Sequence, residues 1–223
     1  MPTNRKVVFA NGEYYHVFNR GVEKRPTFTN NYEFIRALDS IQYYRFGGLS
    51  IRYSKFINLN KEKKELFLKE LDVKNLQIEI IAFCFMNNHF HLLLKQVRDG
   101  GIVKFMAKFT NSYTKYFNTK HDRIGPLFQG VFKAVHVGND EQFLHLTRYI
   151  HLNPVTGFII EAEKLSDYKW SSYPEYVGKK KTQISSKSDL LSFFKNPREY
   201  EKFVLDQADY AKKIKNIEHI IFD

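Results

Sequence analysis

Hydrophobic and polar positions along this chain fall into blocks whose periods change from one to the next. Tyr14 to Arg20 (YYHVFNR) is dense in β-forming residues and stops at Gly21, which predicts a strand. Asn30-Asn31 then offers a helix cap, and Phe34, Leu38, Ile41 and Tyr44 recur at helical spacing until Gly47-Gly48. Residues 49–75 are heavily charged, with one short helix predicted over Lys61 to Leu71. Gln77 to Phe85 (QIEIIAFCF) reads as a buried strand, Met86 to Asn88 as a tight turn, and His89 to Gln96 (HFHLLLKQ) as the returning strand of a hairpin. After Gly100-Gly101, Ile102, Phe105, Met106, Phe109, Tyr113 and Tyr116 or Phe117 share one face of a helix reaching about Lys120. Arg123 to Gly130 is a loop punctuated by glycine and proline, and Val131 to Val137 is a further strand. Asp140 is placed to cap a last helix that runs through FLHLTRYIHLN to a boundary at Asn153-Pro154.

The order β-α-β-β-α-β-α predicts an α+β fold. Its first six elements match the ferredoxin-like (RRM-like) arrangement, an antiparallel sheet carrying two helices on one face, and the seventh helix is extra. Residues 1–160 are assigned to this domain. Residues 161–223 form a partly helical tail that holds WSSY (Trp170 to Tyr173), the basic run Lys179 to Lys181 and a helix from Pro197 onward.

Charge narrows the class of partner. Lys and Arg total 35 against 24 for Asp and Glu, a net charge of +11. A domain this basic commonly meets a polyanion, although a solvated basic surface gives the same count. No apolar run approaches the roughly 20 residues of a bilayer span. The N-terminal stretch MPTNRKVVFANG lacks the pattern of a signal peptide. Cys84 is the only cysteine, which rules out an intrachain disulfide and a thiolate zinc cluster. A cytoplasmic, nucleoid-associated setting is the expectation.

His89 and His91 are two apart on a predicted strand, so both imidazoles leave the same face while Phe90 turns to the core. Such a pair suits one metal ion, yet paired histidines on a sheet are as often polar residues on a wet face. Tyr149 and Asn153 lie one helical turn apart and present a phenol beside a carboxamide. A tyrosine in an amphipathic helix is ordinarily core, and asparagine before proline ordinarily ends a helix. Two imidazoles and an amide oxygen would suit Mg²⁺ or Mn²⁺ better than structural zinc.

FMNNHFHLLL (Phe85 to Leu94) closely resembles the metal-binding strand of the single-tyrosine HUH transposases, whose defining motif is His-hydrophobic-His. RYIHLNPV (Arg148 to Val155) resembles the nucleophile helix of their REP-associated, IS200-like branch, in which a tyrosine precedes Asn-Pro by four. YYHVFNRG, SYTKYFN, GPLFQGVFKAVHV and WSSY extend the agreement in order over roughly residues 13–178. The chain departs from the pattern at Asn87, where the family usually has proline, and at about 48–75, which looks like an insertion.

The resemblance implies metal-dependent cleavage of single-stranded DNA and strand transfer through a 5′-phosphotyrosine, with a preference for palindromic hairpins. It assigns the nucleophile to Tyr149 and the metal to His89, His91 and Asn153; among the competing tyrosines, Tyr113 and Tyr116 have a spacing that favours core packing and lack an amide one turn on, and Tyr113 is the second choice. His136 and His151 are expected to be surface or packing residues. Arg20, Lys24, Arg25, Lys115, Arg123 and Lys133 are candidate phosphate contacts, each also readable as solvated surface charge. Rival readings are a relative that binds DNA hairpins without cutting, an RRM-like binding module lacking its aromatic strand motif, and a larger nickase lacking its P-loop. Monomer and homodimer both remain open.

Overall fold

The computed structural model describes residues 7–71, 75–180 and 184–213; the first six residues of the N-terminal stretch, residues 214–223 of the tail and Lys181 of its basic run lie outside them. Four strands, β1 (Tyr14–Arg20), β2 (Ile78–Met86), β3 (His89–Gln96) and β4 (Lys133–Val137), form one antiparallel sheet in the order β2-β3-β1-β4. With α1 (Asn31–Tyr44) between β1 and β2 and α4 (Gly101–Lys120) between β3 and β4, this is the predicted ferredoxin-like topology. The region 48–75 adds two helices, α2 (Tyr53–Phe56) and α3 (Lys61–Glu70). They fold back on the outer side of α1, where Phe56 and Phe67 lie 5.0 and 5.9 Å from the Tyr43 ring.

Alternation along the strands splits the interior into two cores. Tyr15, Val17, Phe90, Leu92 and Leu94 face α1 and α4, and meet Ala37, Ile41, Phe105 and Phe109 there. Residues of opposite parity, such as Leu93, face the other way, toward α5 (Asp140–Thr156). A bulge between Ile80 and Ala82 rephases β2, so that Ile80 and Phe83 both reach the first core.

The tail builds most of the second core. Leu165, Tyr168, α6 (Tyr173–Tyr176), α7 (Ser188–Leu191) and α8 (Pro197–Leu205) bury Tyr173, Tyr176, Leu190, Tyr200 and Val204 with Ile150 and Val155 of α5. It also closes the outer edge of β2: Phe85 N donates to Trp170 O at 2.9 Å, Ser172 N to Phe83 O and Ser186 N to Ile80 O. In that core the His151 ring bonds Tyr200 Oη at 2.5 Å and Ser172 Oγ at 2.7 Å. Burial pushes its pKa down to about 3, so it is a neutral packing histidine.

Four boundaries differ from the sequence reading. Asn139, not Asp140, caps α5, because its side chain accepts from Gln142 N and Asp140 is already the first helical residue. α5 also passes the expected stop at Asn153-Pro154 and ends at Thr156; a proline blocks the preceding turn's hydrogen bond but can sit in a last turn whose ends are packed. The hairpin turn is Asn87-Asn88 alone, since Met86 pairs with His89 as the last rung of the ladder, and β4 begins at Lys133 rather than Val131. Among the described residues no helix is long and apolar enough to cross a membrane.

The start of α1 carries a buried charge. Asn30 accepts from Glu33 N, while the fully buried Glu33 carboxylate receives Thr29 N, Thr29 Oγ1, Lys120 Nζ at 2.8 Å and His121 Nε2 at 2.7 Å. Burial pushes its pKa up, but the bonds from Lys120, Thr29 and His121 together outweigh it and hold the acid down at about 2. The folded value lies below the unfolded one, so this group stabilises the protein above pH 4.5 and that stability is lost as pH falls toward 2. Glu33→Gln is expected to lower Tm at pH 7 and to differ ever less from the parent between pH 4.5 and 2. A gap that stays constant across that range in thermal melts would show that ionisation of Glu33 is not what stabilises this corner.

Candidate active site

β3 is held between β1 and β2, and its register fixes where the two histidines stand. His91 lies opposite Phe18 on one side and Cys84 on the other, and His89 opposite Arg20 and Met86. Both rings project from the face that α5 crosses, with their centroids 5.2 Å apart and nearly perpendicular. Tyr149 comes down from α5 with its ring 5.3 Å from His91, edge to face. One turn on, Asn153 Nδ2 donates to Tyr149 O at 2.8 Å, which fixes the amide and directs its oxygen away from that carbonyl. Predicted ligands and predicted nucleophile are thus brought together.

These side chains line a cleft of about 720 Å³ with Arg20, Lys133, Gln129, His145, Arg148 and Tyr210. No aspartate or glutamate is among its described lining residues. Basic side chains in a cleft with no carboxylate among its described lining residues, on walls of low dielectric, make a site suited to an anion. Tyr149 is 49% exposed in this cleft, whereas Tyr113, the second choice, is 0% exposed on the opposite side of the sheet. Its hydroxyl donates to Thr27 O at 2.6 Å, and burial pushes its pKa far above the tyrosine range. Tyr113 is a core residue.

The candidate phosphate contacts divide. Arg20 and Lys133 line the cleft, and Arg20 Nε donates to Gln129 at 3.2 Å. Lys24 and Arg25 flank the hairpin turn outside it, Arg25 pairing with Glu23 at 3.0 Å. Lys115 stands exposed on α4, and Arg123 at the end of that helix donates to Asn118, both on the far side of the sheet. His136 bonds Glu13 at 2.7 Å on the surface.

Sequence reasoning missed two residues that touch the paired histidines. His16 Nε2 lies 2.9 Å from His91 Nδ1, with the ring centroids 5.1 Å apart and the planes within 21° of each other. Burial pushes the pKa of His16 down to about 4, so it is neutral at physiological pH. Asn88 Oδ1 lies 2.6 Å from His89 Nδ1. Only the strand register reveals the first; the second sits beside the motif, but its side-chain direction depends on the turn.

The donor set fits one divalent ion. Two imidazoles and one carboxamide oxygen are all neutral, and among the described residues no group of three or more His, Cys, Asp or Glu is placed to hold a metal.

Residues 50–153 match the model of the family described as transposase IS200 like. The match begins inside the apparent insertion and ends on Asn153. Among solved structures the chain is similar to a REP-associated tyrosine transposase bound to a REP hairpin, at TM-score 0.50 and 14% identity over 84% of this chain and 93% of that one. At that identity the likeness establishes the α+β fold. A tRNA(His) guanylyltransferase from Saccharomyces cerevisiae is similar at TM-score 0.36 and 14% identity, over 91% of this chain and 75% of that one. No curated protein sequence matches the chain.

Proposed function

We propose that this chain, an IS200-like transposase relative over residues 50–153, is a metal-dependent endonuclease and strand transferase acting on single-stranded DNA, with hairpins as its substrates. One observation carries the reading: a half-exposed Tyr149 meets His91 and His89 in a cleft lined by Arg20, Lys133 and Arg148 and by no described carboxylate. The hairpin is taken from the similar transposase structure, which is bound to one.

In this reading Arg20 and Lys133 hold the DNA backbone across the cleft and set the scissile phosphate before the Tyr149 phenol. Tyr149 Oη forms the new bond to phosphorus as it gives up its proton, and the bond to the 3′ oxygen breaks and leaves a 3′-hydroxyl. A second strand's 3′-hydroxyl reverses these steps on the tyrosyl phosphodiester, so one phosphodiester is kept throughout and no nucleotide cofactor is consumed. His89, His91 and the Asn153 oxygen would hold Mg²⁺ or Mn²⁺, which supplies charge stabilisation to the phosphoryl group in the transition state.

Labelled single-stranded hairpin DNA incubated with the protein and Mn²⁺ should give a covalent protein–DNA band on a denaturing gel, and EDTA should remove it. Tight hairpin binding with no such band, across hairpins of several sequences, would establish a DNA-binding protein that does not cut.

A further inference from the structure

Both imidazoles of the candidate metal pair are engaged at the same ring nitrogen. Asn88 Oδ1 is 2.6 Å from His89 Nδ1 and His16 Nε2 is 2.9 Å from His91 Nδ1. The Asn88 amide has a defined orientation, because its Nδ2 donates to Lys24 O at 3.0 Å. Its oxygen can only accept, so the proton between the two side chains belongs to His89 Nδ1. The turn that carries Asn88 is itself clamped: Gly21 N donates to Asn88 O at 2.7 Å, and Thr27 N and Phe28 N donate to Asn87 O. On the other ring, His16 presents Nε2 from the neighbouring strand β1 and stacks on Phe18 at 4.7 Å, so its plane is set by that contact as well as by the bond.

We propose that Asn88 and His16 are positioning residues that fix His89 and His91 in the Nδ1–H tautomer and turn both Nε2 lone pairs toward one ion. The inference rests on the metal-dependent reading of the site. Imidazole places its two nitrogens on opposite sides of the ring, so a hydrogen bond at Nδ1 aims Nε2 away from the bonding partner. A metal-ligating histidine is usually held in this way by a partner on its other nitrogen, and loss of that partner costs roughly 10- to 100-fold in metal affinity. Here the two partners come from different elements, one from the hairpin turn and one from β1. The ion's site is therefore sensitive to the pairing of β1 with β3 and to the clamp made by residues 21–28. His16 does not itself reach the ion; it acts through His91.

Long-range ¹H–¹⁵N spectra of the histidine side chains in the metal-free protein test this directly. The expected result is Nδ1–H for both His89 and His91, with Nε2 unprotonated. Asn88→Ala and His16→Phe, the latter keeping the stacked ring, should each shift the corresponding histidine toward a mixture of tautomers. Each should also weaken Mn²⁺ binding, read by EPR, roughly 10- to 100-fold. His16→Gln, which keeps an acceptor, should recover most of it. An Nε2–H tautomer in the parent protein overturns the proposal even if no variant folds. Weakened Mn²⁺ binding in His16→Phe with the His91 tautomer unchanged also overturns it, because His16 would then be a ligand. Parent protein that keeps both tautomers but binds no Mn²⁺ refutes the metal-dependent reading and leaves the tautomer assignment standing.

Discussion

Tyr149→Phe is expected to abolish the covalent protein–DNA adduct, a loss on the order of 10³-fold or more, while hairpin binding persists. The substitution removes one oxygen, and in the proposed reaction that oxygen is the atom that bonds to phosphorus. Nothing else in the cleft is placed to replace it: the other tyrosine among its described lining residues, Tyr210, comes from the tail and lacks an amide one turn on. The ring's contact with His91 survives in phenylalanine, and the side chain is half exposed, so stability should change by no more than about 0.5 kcal/mol. Tyr113→Phe should behave in the opposite way. It breaks a buried bond to Thr27 O and costs about 1 kcal/mol of stability, with the adduct retained. Denaturing gels and thermal melts of the two variants side by side separate the outcomes. An adduct that survives in Tyr149→Phe would remove Tyr149 from the reaction.

Cutting the chain after residue 160 is expected to leave a protein that does not fold cooperatively. The tail supplies Leu165, Tyr168, Tyr173, Tyr176, Leu190, Tyr200 and Val204 to the second core, all buried. At about 1.5–3 kcal/mol for each large apolar side chain, their burial is worth on the order of ten kcal/mol, which is as large as the net stability of a typical domain. Truncation also strips His151 of Tyr200 and Ser172, and uncovers the edge of β2 that Trp170, Ser172 and Ser186 now pair. Circular dichroism melts of residues 1–160 against the full chain provide the measurement. A sharp unfolding transition in the shorter chain would show that the sheet and α5 stand without the tail.

The periodic parts of the sequence told most. β1 and β3 fall on the predicted residues, α1 and α4 within a few, and the parity of His89, Phe90 and His91 correctly sent the phenylalanine to the first core and the two histidines to the other face. The Tyr149–Asn153 spacing likewise placed both groups on one side of α5. What stayed hidden depends on contacts between distant segments. Asn139 and Asp140 are both good capping residues, and only the backbone decides between them. The tail reads as a partly helical appendage, and α8 with its buried Tyr200 and Val204 one turn apart matches that, but the short segments before it carry too little periodicity to show that they complete a second core. His16 belongs to a strand that the pattern predicted, but its partner is chosen by the register with β3, which no local signal encodes. Four of the six basic residues proposed for DNA fall outside the cleft, since surface lysines and arginines carry no periodic mark of the face they will occupy.

β1 precedes the other described strands in sequence yet is an interior strand of the sheet, and this has a consequence for synthesis. The contact of His16 with His91 spans 75 residues, and that of Glu13 with His136 spans 123. The β2–β3 hairpin, by contrast, closes across two residues and needs nothing else in order to pair. A polypeptide leaving the ribosome must therefore carry β1 unpartnered until the hairpin, and later β4, have emerged. Tyr149 follows later still, and the segment that packs behind it comes last. The order of emergence thus delays the proposed cutting activity until α8 has been made, so a nascent chain that stops short of it would not cut.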